Sequence, residues 1–427
     1  MYRQLYNQNT SRSEEVPYPS ILALRILLLR KLRPKAFSTF QQLATLLKQW
    51  KATPGWLEGQ VETVALIREK LELRIFEEEE ILEVKSSSTV FSITCQCQVS
   101  AALSTNAFSK YLDPVETGDC GERLGKPAEE VGTSIRVVFL LAAMPAHSCL
   151  PNAEQAIHGL SEGLQLELRA TRLIREGSQV QISYTDLLAP TPVRQFELMN
   201  SKLFLCACPR CEDPTEMDTY ASGVKCSACL RTQKGAEPGI LLPMRKQEAW
   251  QCGKCEATIP NGKVLTLLFK ICEQMEALMN NPSEGPTGLE AFLTKFSRVL
   301  ADGNGLLQRV RYSLCGQYGR LPGFQLSQLS SAQLERKLHL CESMLATLDK
   351  LQPGRSSRRA MILYELHISL LVTGQTQGRK EMLTRSVICL KEAVDLLRDE
   401  PPASFGGQLF SGGSASLPQV EKFVSEL

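Results

Sequence analysis

Apolar positions recurring every three or four residues predict helices toward both ends of the chain. Ile21, Leu22, Leu24, Leu28, Leu29 and Leu32 follow Pro19-Ser20, where Ser20 suits a cap and Pro34 a terminator. Phe37 to Trp50 and Val61 to Phe76 read as two more helices, the second carrying Val61, Val64, Ile67, Leu71 and Ile75 on one face. The run Glu77 to Glu80 that ends it reads as a solvated face. Between about residues 88 and 190 the period shortens to two. Leu164, Leu166 and Leu168 alternate with polar residues, as do Val180, Ile182 and Tyr184 after the turn at Glu176-Gly177, which predicts short strands. Thr191-Pro192 then supplies a cap and a first-turn proline for a helix through about Lys202. From Lys263 onward helical spacing dominates, through Leu265, Leu268, Ile271, Leu338, Leu345, Leu348, Ile362, Leu363, Leu366 and Leu370. Ser357 to Asp399 fits one stacked helix-turn-helix unit. Pro401 to Pro418, rich in Gly and Ser, reads as a mobile loop before a short terminal helix.

At 427 residues with 43% hydrophobic and 22% charged positions, the chain has ample material for two or three cores. Forty-eight basic against 46 acidic residues leave a net charge of +2, which gives no bulk attraction to a polyanion, so no direct nucleic-acid partner is expected. The most apolar stretch, Ile21 to Leu29, is broken by Arg25 and falls short of the ~20 residues that span a bilayer, so no membrane partner is expected either. Fifteen cysteines, an odd number without a preceding signal segment, argue for reduced thiols and metal ligation in an intracellular protein, nuclear or cytoplasmic.

Cys226-x2-Cys229 and Cys252-x2-Cys255, with 22 residues between the pairs, place four thiolates where two knuckles close a tetrahedron around a structural Zn²⁺. Cys206-x-Cys208-x2-Cys211 supplies three more ligands and needs a fourth from elsewhere. Cys149 is one candidate and His147, two residues before it, is the rival. About two Zn²⁺ per chain are expected. Cys95, Cys97, Cys120, Cys272, Cys315, Cys341 and Cys389 read as buried thiols, and His158, His339 and His367 as structural histidines.

The ordered series His147-Ser148-Cys149-x-Pro151-Asn152, Arg172-x-Ile174-x2-Gly177, Ser183-Tyr184-Thr185-Asp186, Pro190-Thr191-x2-Arg194-Gln195 and Lys202-x-Phe204-x-Cys206-x-Cys208-x2-Cys211 resembles the SET and MYND domain (SMYD) family, in particular its arthropod SmydA branch. Thr105-Asn106-Ala107-Phe108 upstream and Cys211 to Glu216 downstream fit the same pattern, and Leu363 to His367 fits it more weakly. The resemblance implies an α+β chain: helices inserted in the SET domain (1–87), a β-rich SET core (88–202), a zinc-bound post-SET segment with a four-cysteine knuckle (203–260) and a TPR-like helical domain (261–427).

It further implies a protein-lysine methyltransferase that uses S-adenosylmethionine, acts on a protein or peptide lysine and takes part in regulating gene expression. The helical half would then serve as a surface for a protein partner. Cys149 matches the fourth post-SET ligand, and Ala146 and His147 match the cofactor-binding turn. Asn106 matches a position near the cofactor and Phe204 an aromatic beside it. Phe108, Tyr184 and Lys202 match the substrate channel, with Tyr184 as the catalytic tyrosine.

Several positions depart from the family pattern. Ala146 stands where an asparagine is usual, Gly177-Ser178-Gln179 where Gly-Glu-Glu is usual, and Lys202 where a second channel aromatic is usual. A lost cofactor contact at Ala146 would weaken binding by roughly 1 to 3 kcal/mol. The Gly-x-Gly segment and the MYND finger of the family are not found, since Cys95, Cys97 and Cys120 are the only cysteines before His147 and no histidine precedes it. The second expectation is therefore a catalytically impaired SET scaffold acting as an interaction module.

Overall fold

A computed structural model describes residues 32–43, 49, 108–111, 134–158, 165–232, 237–244, 249–281, 284–402 and 404–426. Asn106, Cys95, Cys97, Cys120, the helix expected at Val61 to Phe76 and most of that at Ile21 to Leu32 lie outside them. The chain divides into two compact units. One gathers residues 1–110, 135–144 and 200–203, and the other gathers 111–134, 145–199 and 204–427.

In the first unit, α1 (Pro34–Gln41) opens on Pro34. Pro34, expected as a terminator, stands at the start of a helix: its fixed φ and missing N–H suit the first helical position. Phe37, Phe40 and Leu43 bury one side of α1, with the two phenyl rings 6.4 Å apart. β1 (Phe108–Tyr111) and β2 (Ser134–Val137) form a two-stranded ladder.

The second unit begins with short strands. β3 (Ala146–His147) runs parallel to β6 (Gln181–Ile182), with Ala146 opposite Gln181 and His147 opposite Ile182. β4 (Ala153–His158) pairs antiparallel with β5 (Gln165–Ala170), where Leu166 and Leu168 take the inner positions that alternation predicted. The expected strand around Val180 to Tyr184 shrinks to two residues because the chain turns away at Ser183 to bring Tyr184 beside His147.

α2 spans Thr191–Lys202, the bounds read from its cap and first-turn proline. α3 (Pro209–Glu212) and α4 (Ser227–Thr232) are single turns that present cysteines. β7 (Val224–Lys225), β8 (Ile240–Pro243), β9 (Ala249–Cys252) and β10 (Thr258–Pro260) form an antiparallel sheet in the order β10-β9-β8-β7. Trp250 is buried on it, and its indole N–H donates to Asn261 Oδ1 at 2.9 Å.

The remainder is helical: α5 (Asn261–Met279), α6 (Gly285–Phe296), α7 (Gly305–Gln317), α8 (Ser331–Leu351), α9 (Ser357–Gln377), α10 (Lys380–Leu397) and α11 (Phe405–Ser425). One apolar core runs from Leu188 and the sheet cysteines through Leu268, Val310 and Met344 to Ala393. α9 and α10 form the expected helix-turn-helix, with Gly378 at φ 65° closing α9 in the left-handed conformation. Cys272, Cys315, Cys341 and Cys389 are buried free thiols. His367 is buried and bonded to Ser386, whereas His339 is exposed. No helix among the described residues is long and apolar enough to cross a membrane.

The segment expected to be a mobile loop, Pro401 to Pro418, is instead mostly helix α11, with Pro418 inside it and the Ser404 side chain accepting from the Gly407 N–H at 3.0 Å. Its glycines serve close approach. A Cβ on Gly407 would lie 2.1 Å from the Pro401 carbonyl oxygen, and one on Gly413 would lie 2.8 Å from a Val394 methyl. Gly412, by contrast, has only the Tyr364 hydroxyl within reach, at 3.7 Å. Thermal denaturation should therefore show Gly407→Ala lowering the melting temperature, while Gly412→Ala, which gains up to ~1 kcal/mol of helix propensity, leaves it unchanged or raises it. Equal effects at the two positions would mean that packing does not select these glycines.

Candidate functional site

The turn after β3 is held against β6 before any metal is considered. Ser148 N–H donates to the Ile182 carbonyl at 3.0 Å. The Asn152 side chain braces the other edge, donating to the Gln179 carbonyl at 2.8 Å and accepting from Gln181 N–H at 2.7 Å. Cys149 is thereby fixed and fully buried at the tip. The Gln195 side chain on α2 fixes the opposing segment by donating to the Cys206 carbonyl at 2.6 Å and accepting from its N–H at 2.9 Å. Cys208 sits at the N-cap position of α3 and Cys211 within it.

These two segments bring Cys149, Cys206, Cys208 and Cys211 together, with all four sulfurs within 4.8 Å of one another and Cys149 Sγ 3.5 Å from Cys211 Sγ. A tetrahedral Zn²⁺ with Zn–S bonds of ~2.3 Å requires sulfurs about 3.8 Å apart, so the spacing fits the ion. The thiol acidities carry the same message. Hydrogen bonds to the other three cysteines, then burial, push the Cys149 thiol far up, while the bond from Cys149 holds Cys206 far down and Cys208 at about 5. Four crowded sulfurs share protons that a divalent cation would displace.

His147 lies beside this cluster, outside the set of four. Its Nδ1 accepts the Tyr184 N–H at 3.0 Å, which leaves the ring proton on Nε2, 3.3 Å from Cys149 Sγ. The imidazole centroid is 5.2 Å from the Tyr184 ring and 5.9 Å from the Phe204 ring. The Tyr184 hydroxyl donates to the Pro145 carbonyl at 2.6 Å, and burial pushes its ionisation to higher pH, so it is a neutral phenol at physiological pH. Ala146 is exposed on β3, and Phe204 packs against the cysteine cluster. Phe108 is the first residue of β1 and Lys202 the last of α2; both belong to the first unit, whereas Ala146, His147, Tyr184 and Phe204 belong to the second.

The second cluster joins Cys226 and Cys229, flanking the start of α4, to Cys252 and Cys255 at the turn after β9. Cys226 and Cys255 sulfurs are 3.5 Å apart and Cys229 and Cys252 sulfurs 3.7 Å apart, again a tetrahedral spacing. Burial would raise the Cys252 thiol, but N–H groups of Cys255 and Lys254 directed at its sulfur hold it at about 7. A Cβ on Gly239 would stand 2.3 Å from that sulfur, so only glycine leaves room for it. Both clusters can hold zinc.

Sequence reasoning assigned no role to the charges around the first cluster. Arg194 and Arg210 are fully buried and both reach Glu216, at 2.9 and 3.1 Å. Glu216 also accepts the Thr191 N–H at 3.1 Å, placing its carboxylate at the positive end of α2. Asp186, two residues after Tyr184, pairs with Arg358 on α9 at 2.6 Å and Arg309 on α7 at 3.0 Å. All but Arg309, Arg210 and Arg358 fall within the quoted motif series; what could have singled them out is the repeated pairing of acidic and basic residues around a cysteine run.

Burial opposes ionisation of Asp186, yet the guanidinium groups of Arg358 and Arg309 hold its carboxyl at about 2, below the ordinary 3.8. A depressed carboxyl contributes stability that is present above the unfolded value and is lost as pH falls through the folded one. Asp186→Asn should therefore destabilise the chain at pH 7 by about 1 to 2 kcal/mol, allowing for partial exposure, and the difference should fade as pH drops from about 4 to 2. A denaturation difference that persists unchanged across that window would show that the charge of Asp186 is not what the variant removes.

No family model matches the chain. Among curated proteins, SET domain-containing protein SmydA-8 isoform B of Drosophila melanogaster is 35% identical over 133 residues, covering 30% of this chain and 28% of that protein. The SET domain and MYND-type zinc finger protein 6 of Schizosaccharomyces pombe is 32% identical over 120 residues, 28% of this chain and 23% of the relative. N-lysine methyltransferase SMYD2-A of Xenopus laevis is 36% identical over 94 residues, 21% of each chain. The shared segment thus spans under a third of these relatives. Together with the mixed helix and sheet architecture and its clustered cysteines, these matches support membership of this chain in the SET and MYND domain (SMYD) family, its SmydA branch included.

Proposed function

We propose that the chain is a SET-type protein-lysine N-methyltransferase that takes its methyl group from S-adenosylmethionine. The observation that carries this reading is the joining of Tyr184, His147 and Cys149 through consecutive hydrogen bonds, which makes the tyrosine segment and the cysteine cluster one assembly. Relatives named as N-lysine methyltransferases support the reaction class. When bound, the cofactor supplies an electrophilic methyl on a sulfonium.

The chain's own residues have the remaining tasks. A lysine, with an ordinary pKa near ~10.4, must present an unprotonated amine. The buried Tyr184 phenol stays neutral, so its oxygen can accept an amine N–H and orient the nitrogen lone pair. His147 fixes the backbone of that residue, and the rings of Phe204 and Tyr184 flank the imidazole. In this reading the two cysteine clusters hold one zinc ion each in a structural role, and the α9–α10 hairpin belongs to a helical surface that receives a protein partner.

Calorimetric titration of S-adenosylmethionine into zinc-replete full chain should show one-to-one binding. Methyl transfer to a lysine-containing protein should fall by about 10² or more in Tyr184→Phe, with cofactor binding retained. Full activity in that variant would remove Tyr184 from the mechanism. A folded, zinc-loaded chain that binds no cofactor would overturn the enzymatic reading in favour of an interaction scaffold, the direction in which the exposed Ala146 at the cofactor turn points.

A further inference from the structure

The two cysteine clusters differ in what surrounds their sulfurs. Four thiolates around one divalent cation leave a centre with a net charge of −2. At the first cluster the Arg194 guanidinium, fully buried, donates from Nε to Cys149 Sγ at 3.1 Å and from Nη2 to Cys211 Sγ at 3.6 Å. It cannot swing away. Nη2 also donates to Thr191 Oγ1 at 2.7 Å, and Nη1 donates to the Ala189 carbonyl and to Glu216 Oε2 at 2.9 Å. Glu216 is held in turn by Arg210, whose Nη1 donates to the Leu187 carbonyl at 2.6 Å. Two buried guanidinium groups and one carboxylate set a net +1 against the thiolates.

The second cluster has a different environment. Among the described residues its donors are backbone groups: Lys254 N–H, 3.3 Å from Cys252 Sγ, with the N–H of Cys255 on the same sulfur, those of Ala228 and Cys229 on Cys226 and that of Ala257 on Cys255, which is exposed. No side-chain cation of the described residues is recorded on its sulfurs.

We infer that Arg194 is an outer-shell cation of the first metal centre, and that it makes this centre hold its metal longer than the second. The inference rests on both clusters holding zinc. A hydrogen bond from a fixed cation draws charge off a thiolate, which makes the sulfur a poorer base and a poorer nucleophile while it stays bound. Burial of the guanidinium also keeps water and chelators from the sulfur it covers. At the second centre, protons, chelators and thiol-directed electrophiles reach Cys255 directly. Metal loss should therefore begin at Cys255 and leave the Cys149 centre loaded. Arg194 is a positioning residue here, since it acts on the metal only through Cys149 and Cys211.

The test uses the full zinc-loaded chain. Metal analysis comes first: fewer than two zinc ions per chain would overturn the zinc reading itself, independently of Arg194. Given two, release into excess EDTA, followed with a chromogenic zinc indicator, should show a fast and a slow phase of one zinc each. Cys255→Ser should abolish the fast phase and keep the slow one. Arg194→Lys, which keeps a charge but cannot reach both sulfurs, should speed the slow phase by on the order of 10- to 100-fold and leave the fast phase unmoved. In cobalt-substituted chain, Arg194→Lys should shift the thiolate-to-cobalt charge-transfer band of one of the two ions to lower energy, which a purely structural role for Arg194 would not do. A slow phase that Arg194→Lys does not change, or one that disappears in Cys255→Ser, would overturn the inference. If Arg194→Lys does not fold, the phase lost in Cys255→Ser decides.

Discussion

Closure of Cys149 onto the Cys206 to Cys211 segment is the constraint on which the rest of the second unit depends. Cys149 and Cys211 are 62 residues apart in sequence and 3.5 Å apart at sulfur. A loop of that length has a closure entropy that grows only slowly with its size, so one strong anchor suffices to hold it. With a metal ion bound, the four-sulfur centre would be such an anchor, because metal binding free energy becomes folding free energy where the ligands come from separate segments. His147 and Tyr184 inherit their positions from it: the imidazole spans from Cys149 Sγ to the Tyr184 N–H, and the Tyr184 side chain packs against the same cluster.

A second set of constraints is ionic. Burying a charge is tolerable only when it is paired and hydrogen-bonded, and removing one partner then costs roughly 3 to 5 kcal/mol. Arg194, Arg210 and Glu216 satisfy one another at the junction of α2, α3 and the Leu187–Ala189 turn. Asp186, at the end of the tyrosine motif, reaches α7 and α9 through Arg309 and Arg358. The tyrosine segment is thus held from one side by the cysteine centre and from the other by the helical half of the same unit. A helical domain attached in this way contributes to the shape of the site as well as to any surface it offers a partner.

Local chemistry made part of this legible in the sequence. The bounds of α2 follow from Thr191-Pro192, and β5 follows from alternation of Leu166 and Leu168, because cap, proline and period act over a few residues. The paired Cys226-x2-Cys229 and Cys252-x2-Cys255 were equally plain, since each knuckle is local. The C-terminal reading went astray because glycine has two meanings. Gly407 and Gly413 signal flexibility in isolation, but in the fold they admit the Pro401 carbonyl and a Val394 methyl, and α11 results. The buried ionic links were illegible for a different reason. Asp186 and Arg358 are 172 residues apart, and no spacing rule joins them. For His147, spacing left ligand and non-ligand roles open; in the fold Cys149 completes the set of four sulfurs and the imidazole Nδ1 accepts the Tyr184 N–H.

The most direct test of this account is amide hydrogen exchange on the full chain before and after zinc is removed with a chelator. If the Cys149 centre positions the tyrosine segment, zinc removal should raise exchange together at residues 145–152, at the amides of Ile182 to Asp186 including Tyr184, and at 204–213. Exchange that rises only at 204–213, with the Tyr184 amide as protected as before, would contradict it.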